Sequence, residues 1–512
     1  MKPSKTHLFT LVKALNKSEK RQFKLYVGRM AGNDNSKFIQ LFNLLDKMEK
    51  YNEKEIIEKT SISKAQLANS KAHLYKQILT SLRLTPQLKN TQIQIREQLD
   101  FATILYDKGL YQQSIKVLDK AKITAIEHEE NTIAFEIVEF EKIIETQYIT
   151  RSLDSRANNL AILAKDLSVK NLLASKLSNL SLQLYSFLLK NGYAKNEDDY
   201  ARTKAYFQYH LPQFTLNEIG NREKLYFYMA QLWYSFIIQD FRSSYKYASK
   251  WVDLFHSTPN FITNHPVFYL KGSNYLLESL YFLRYRSRFE EVLQLFKKQS
   301  TSANFVVNDN TRVLRFLYLS YNEINLHFLN GTFELGIKSI PDIEAEMEQH
   351  LTKIDPHHQM VFYYKFACLH FGADQFERSI HYLQQIIQNK ELGMREDLSC
   401  YSRILNLISH FELGKDERID ELIRSTFKFL LKMNDMQQVQ AEIIVFLRSL
   451  KNIFPHQLKN AFKELHERLQ LLENHAYEKR SFLYLDILSW LEGKIQTKPI
   501  QEIVHKKVRL MK

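Results

Sequence analysis

Three histidines, His327, His370 and His410, fall at one place in three successive segments, six residues ahead of an aromatic or its equivalent. A column of imidazoles could ligate a metal. Packed helices, however, approach no closer than about 8 Å, while a zinc–nitrogen bond is about 2.1 Å. Equivalent histidines in stacked units therefore do not converge on one ion, and the expectation is that each ring fills an aromatic slot and keeps a polar tip. Glu127-His128-Glu129-Glu130 is acidic enough to meet a metal, but adjacent residues of a helix point apart. His466-Glu467 lacks the second histidine of a zinc helix. Cys368 sits mid-helix, and a buried structural thiol is expected there. The chain contains no GxGxxG, P-loop, HExxH, GxSxG or CxxC. No catalytic residues, cofactor or metal are expected, and the protein is read as not an enzyme.

The elements that hold these residues are helices. In residues 361–389, Phe362, Phe366 and Leu369 recur at helical steps, Gly372-Ala373-Asp374 interrupts them, and Phe376, Ile380, Leu383 and Ile387 resume the period. One hairpin of this size cannot bury both its apolar stripes, so it needs neighbours of its own kind. Phe333, Phe289, Phe241 and Tyr111 open similar second helices, at steps of 43, 44, 48 and 130 residues along the chain, counting back from Phe376. Gly192-Tyr193 and the segment 411–423, with Gly414 at its turn, mark further units.

On these residues the chain resembles the tetratricopeptide-repeat family, from about residue 99 to 425. Gly109, Tyr111, Ser114, Ile115 and Leu118 fit its turn motif, as do Gly331, Phe333, Gly336, Ile337 and Ile340. Asp374, Phe376, Ser379, Ile380 and Leu383 fit it except at the turn glycine. The small residue of the first helix is Ala102 and Ala367 but Leu232, Leu280 and Ile324 elsewhere, and the period is longer than the family's. The chain as a whole also resembles repeat proteins of the Bacteroidota, which bring no activity to carry over. The fold implied is all-α: a tetratricopeptide-like right-handed helical-repeat solenoid, with an N-terminal helical domain and a C-terminal helical cap.

Composition agrees with helix throughout. Twelve Gly and nine Pro in 512 residues are few, and no Pro occurs between Pro86 and Pro212. Two cysteines make no disulfide framework, and neither a signal peptide nor a membrane span is evident, so a cytoplasmic protein without a membrane partner is expected. The net charge of +14 is concentrated at the ends: residues 1–100 hold 19 Lys+Arg against 9 Asp+Glu. Four segments follow: a basic helical domain 1–88, the solenoid 89–430, a cap 431–497 and a loose basic tail 498–512.

Within the first segment, residues 54–84 have the outline of a helix-turn-helix, with Lys64, Asn69, Lys71, His73 and Lys76 outward. This supports an alternative function, a nucleic-acid-associated regulator with a repeat sensor. Against it, the second helix is long for a major-groove reader and carries no arginine before Arg83. A solvated basic face is the simpler reading.

The preferred function is a non-catalytic scaffold that binds a protein or peptide in the groove of the solenoid. By the resemblance, groove residues lie 15, 12, 8, 5 and 4 positions before each turn aromatic. This selects Tyr318, Tyr321, Asn325, Phe328 and Leu329 before Phe333, and Asn274, Leu277, Tyr281, Arg284 and Tyr285 before Phe289. Tyr226 and Trp233 come from the Phe241 unit. Tyr, Trp and Arg suit such a surface because each joins a large contact area to a polar handle.

Overall fold

The computed structural model describes the chain except for residues 1–5, 32–36, 85–89, 148–153, 259, 303–304, 352, 390–395, 415, 434–436, 451–452, 485 and 511–512. Among the described residues every regular element is a helix and none is a strand. The chain forms two compact units, Met1–Ala161 and Ile162–Lys512. The expected break at 88/89 lies outside the described residues, and the first unit runs past it.

The first unit begins with α1 (His7–Ala14), α2 (Lys17–Ala31), α3 (Lys37–Lys47), α4 (Glu53–Lys59) and α5 (Lys64–Arg83). Their apolar stripes close on one core that includes Val12, Phe23, Leu41, Phe42, Leu45, Leu74 and Ile78. A reciprocal cap starts α2: the Glu19 N–H donates to Asn16 Oδ1 at 2.9 Å, and the Asn16 N–H to Glu19 Oε2 at 2.8 Å. Next come α6 (Thr91–Asp107), α7 (Tyr111–Glu127) and α8 (Asn131–Gln147). The Ser114 hydroxyl donates to the Ala102 carbonyl at 2.8 Å, and both residues are fully buried, so small side chains let α6 and α7 approach closely. Behind them Glu141 is buried under Lys122, whose Nζ lies 2.6 and 2.8 Å from its two oxygens.

The division between the units falls within α9 (Asp154–Asn191). The second unit continues with α10 (Glu197–His210), α11 (Asn221–Ile237), α12 (Phe241–Ser257), α13 (Phe261–Asn264), α14 (Pro266–Phe282), α15 (Arg286–Ser300) and α16 (Asp309–Asn330). After these come α17 (Phe333–Lys338), α18 (Ile340–Gln349), α19 (Pro356–Gly372), α20 (Phe376–Ile387), α21 (Glu396–Glu412) and α22 (Asp416–Met433). The C-terminal part holds α23 (Gln438–Ser449), α24 (Leu458–Leu472), α25 (Lys479–Tyr484), α26 (Ile487–Gln496) and α27 (Ile500–Leu510). One apolar core runs through this unit from Leu180 to Val504.

One turn geometry recurs. A residue with left-handed backbone sits two positions before the next helix: Gly109 before α7, Gln239 before α12, Arg284 before α15, Gly331 before α17, Asp374 before α20 and Gly414 before α22. At Gly331 the choice of residue is forced twice, by its φ of +65° and because an added Cβ would lie 2.8 Å from Val504. The turn histidines work locally. His327 Nδ1 is 2.8 Å from Thr332 Oγ1 and His370 Nδ1 is 2.8 Å from Gln375 Oε1, so each ring ties its helix to the residue just before the next.

Two features differ from the expectation. Phe289 does not open its helix: α15 starts three residues earlier, at Arg286, because the left-handed turn residue is Arg284. The end of the C-terminal segment is not a loose tail. Within this segment α25 and α26 are separate helices, and Asp486 caps α26 by accepting the Ser489 N–H at 3.1 Å. Tail residues 500–510 form α27, whose Ile500, Ile503 and Val504 are buried, with Val504 against Gly331. Trp490 Nε1 donates to Glu412 at 2.6 Å, so these helices fold back along earlier hairpins.

Candidate functional site

Helices α11, α14, α16 and α19 are the first members of four hairpins and supply one wall of a cavity of about 410 Å³. Counted from the residue that opens each second helix, the same register lines it in all four. Tyr318, Tyr321, Asn325 and Phe328 come from α16; Val361, Tyr364 and Cys368 from α19; Trp233 and Phe236 from α11. On α14 the count must start at Arg286, and it then selects Lys271, Asn274, Glu278, Tyr281 and Phe282, all of which line the cavity.

The structure thus brings Trp233, Asn274, Tyr281, Tyr318, Tyr321, Asn325 and Phe328 together. Arg284 and Tyr285 lie instead in an adjoining cavity of about 790 Å³ with Phe333, Phe371, Asp486 and Lys507, and the two cavities share Tyr281, Phe328 and Cys368. Leu277 is fully buried and lines neither, the consequence of the three-residue shift. Tyr226 also lines neither and packs edge-on against Phe268 at 6.3 Å. Lys271, Glu278, Asn322, His358 and Lys365 were missed. Shifting the α14 register would have found the first two, whereas Asn322 and Lys365 occupy one equivalent place, eleven residues before Phe333 and Phe376, that the register rule omits.

The inner cavity is polar along one line. Lys365 Nζ donates to Asn325 Oδ1 at 2.5 Å, Asn325 Nδ2 to Asn322 Oδ1 at 3.3 Å, and Asn322 Nδ2 to Asn274 Oδ1 at 2.9 Å. Asn322 Nδ2 also donates to the Tyr318 carbonyl at 2.8 Å. Lys365 lies 5.6 Å from the centroid of the Phe328 ring and 5.9 Å from that of Tyr321. Burial pulls its ammonium down to a pKa of about 8, with Glu278 opposing. Burial also lowers that of Lys271, which lies 5.9 Å from the Tyr185 ring. The Cys368 thiol is pushed up to about 12 by burial, so it remains a thiol at neutral pH. Among the described residues no three His, Cys, Asp or Glu side chains are placed to hold a metal ion.

On α5, Lys64, Asn69, His73 and Lys76 are exposed. Lys71 is turned to its own fold: its Nζ lies 4.9 Å from the centroid of the Tyr51 ring and 3.7 Å from Glu53. The His73 ring lies 4.4 Å from that of Phe38. Two of the five suggested nucleic-acid contacts are therefore already engaged within the bundle.

No protein-family model, curated protein or solved structure matches the chain, so its function is read from this geometry.

Proposed function

We propose that the second unit is a non-catalytic scaffold of tetratricopeptide type, a right-handed solenoid whose groove binds a protein or peptide partner. The observation that carries this is the common register: four first helices present corresponding residues to two adjoining cavities. Stacked hairpins create such a surface without any one hairpin enclosing it. The outer cavity offers Tyr285, 47% exposed, beside Arg284, the pairing of aromatic area and charge that dominates binding surfaces. A cytoplasmic setting fits two cysteines without a disulfide and, among the described residues, no helix long and apolar enough to cross a membrane.

Partner capture from the native cell with wild-type protein and the Tyr285→Glu variant tests this. A specific protein retained by the wild type and lost with the variant is the expected result. Identical captured sets would refute the groove as the binding surface.

The exposed Lys64, Asn69 and Lys76 on α5 keep a second reading in play, nucleic-acid association through the first unit.

A further inference from the structure

The inner cavity has a surplus of hydrogen-bond donors, and chemistry fixes their directions. A backbone carbonyl only accepts, so Asn322 must turn its Nδ2 toward the Tyr318 oxygen. Its Oδ1 then faces Asn325, which must present Nδ2, leaving the Asn325 oxygen for Lys365. Both hydrogens of Asn322 Nδ2 are used, one of them on Asn274 Oδ1. The Asn274 Nδ2 is left as a donor with no acceptor among the described residues. The ammonium groups of Lys365 and Lys271 likewise make no ion pair among the described residues, and both line the cavity. One carboxylate, Glu278, lines it with them, and its charge partly offsets the effect of burial on Lys365.

Two lysines against one glutamate leave one positive charge in excess, surrounded by rings. Tyr185 lies 4.8 Å and Tyr275 4.7 Å from Trp233, centroid to centroid. Keeping partly desolvated cations without anionic partners is unfavourable unless a ligand completes them. A cavity of about 410 Å³ lies in the small-molecule range.

We propose that this cavity binds a small organic monoanion, with an acidic group on an aromatic or aliphatic body. The acidic group sits against the free hydrogens of Lys365, the field of Lys271 adds to the attraction, and the apolar body lies along Trp233 and Tyr318. This site is distinct from the partner surface at Tyr285, and it does not require that surface to bind a protein.

The test uses the full chain and two dyes, anilinonaphthalene sulfonate, which is anionic, and phenylnaphthylamine, a related ring system without the charge. Energy transfer from tryptophan to the dye reports proximity, and Trp233→Phe should diminish it. The sulfonate should bind at least about tenfold tighter than the neutral amine. Lys365→Met should weaken the sulfonate about tenfold and change the amine by less than about twofold, and Lys271→Met should weaken the sulfonate by a smaller factor. Lys365→Met removes a poorly paired cation, so its melting temperature should not fall, which separates lost binding from lost fold. Equal binding of the two dyes, or sulfonate binding that survives both lysine changes, would overturn the proposal. Tyr285→Glu should leave the sulfonate constant unchanged, so failure of this site and failure of the partner surface are distinguishable.

Discussion

Burying an ammonium with an amide oxygen as its hydrogen-bond partner opposes folding, and Lys365 does this in the inner cavity of the second unit. Its pKa falls from 10.5 to about 8 in the native state. The penalty is therefore complete below about pH 8, where native and unfolded chains both carry the proton. Between about pH 8 and 10.5 the native chain releases it while the unfolded chain keeps it, and stability rises. Glu278 on α14 and Cys368 on α19 oppose this shift only in part, and the Cys368 thiol titrates at about 12, above this window. Lys365→Met should raise stability at pH 7 by roughly 1–3 kcal/mol, and its advantage should shrink from pH 8 to 10. Urea denaturation at several pH values checks this, and a pH-independent difference would rule it out. A second contrast concerns the ring positions. Phe289 is fully buried, and Phe289→Ala should cost about 3–5 kcal/mol. Phe376 is partly exposed and packs edge-on against Phe371 at 5.5 Å, so Phe376→Ala should cost only about 1–2 kcal/mol. Similar losses at both sites would show that helix opening, not burial, sets their importance.

At the scale of elements, α7 and α8 are joined by a buried charge. Glu141 is 1% exposed, its pKa is raised to about 7 by burial, and Lys122 is its closest cation, with Arg156 at 3.4 Å. Lys122→Met would leave the carboxylate with the more distant guanidinium and should destabilise the first unit by about 2–4 kcal/mol, while Lys122→Met with Glu141→Leu should recover most of that loss. A double-mutant cycle measures it, and additive effects would show that the pair is not coupled. The helices themselves were legible in the sequence: Phe241, Phe333 and Phe376 each open one, as the period required. The α15 start was not, because an arginine holds the left-handed turn position that a glycine marks at 109, 331 and 414. A single hidden turn residue displaced five site positions by three. Helical period likewise says which face of α26 or α27 is apolar but not which hairpin it meets, since Trp490–Glu412 and Val504–Gly331 join residues far apart in the chain. The ladder from Asn274 to Lys365 was invisible for the same reason: each member comes from a helix surface, and only packing brings them into line.

At the scale of the molecule, the two units can be followed separately, because all three tryptophans, Trp233, Trp251 and Trp490, belong to the second. Their fluorescence reports that unit alone, whereas far-ultraviolet dichroism reports helices of both. This permits a test of what the C-terminal segment does. As a loose basic tail, residues 500–512 could be removed without effect. As α27, they bury Ile500, Ile503 and Val504, and Lys507 lies 2.8 Å from Glu492. Three buried aliphatic side chains at about 1.5–3 kcal/mol each set an upper bound of roughly 5–9 kcal/mol for the loss on deletion. The surface uncovered would include Gly331, whose missing Cβ leaves room for Val504, and the Ile500 and Val504 wall of the outer cavity. Deletion of residues 500–512 should therefore shift the tryptophan-detected urea midpoint strongly downward. The dichroism signal should then resolve into an early step for the second unit and a later one for the first. A truncated chain that unfolds at the wild-type midpoint would return these residues to the status of a tail and remove one wall from the proposed partner surface.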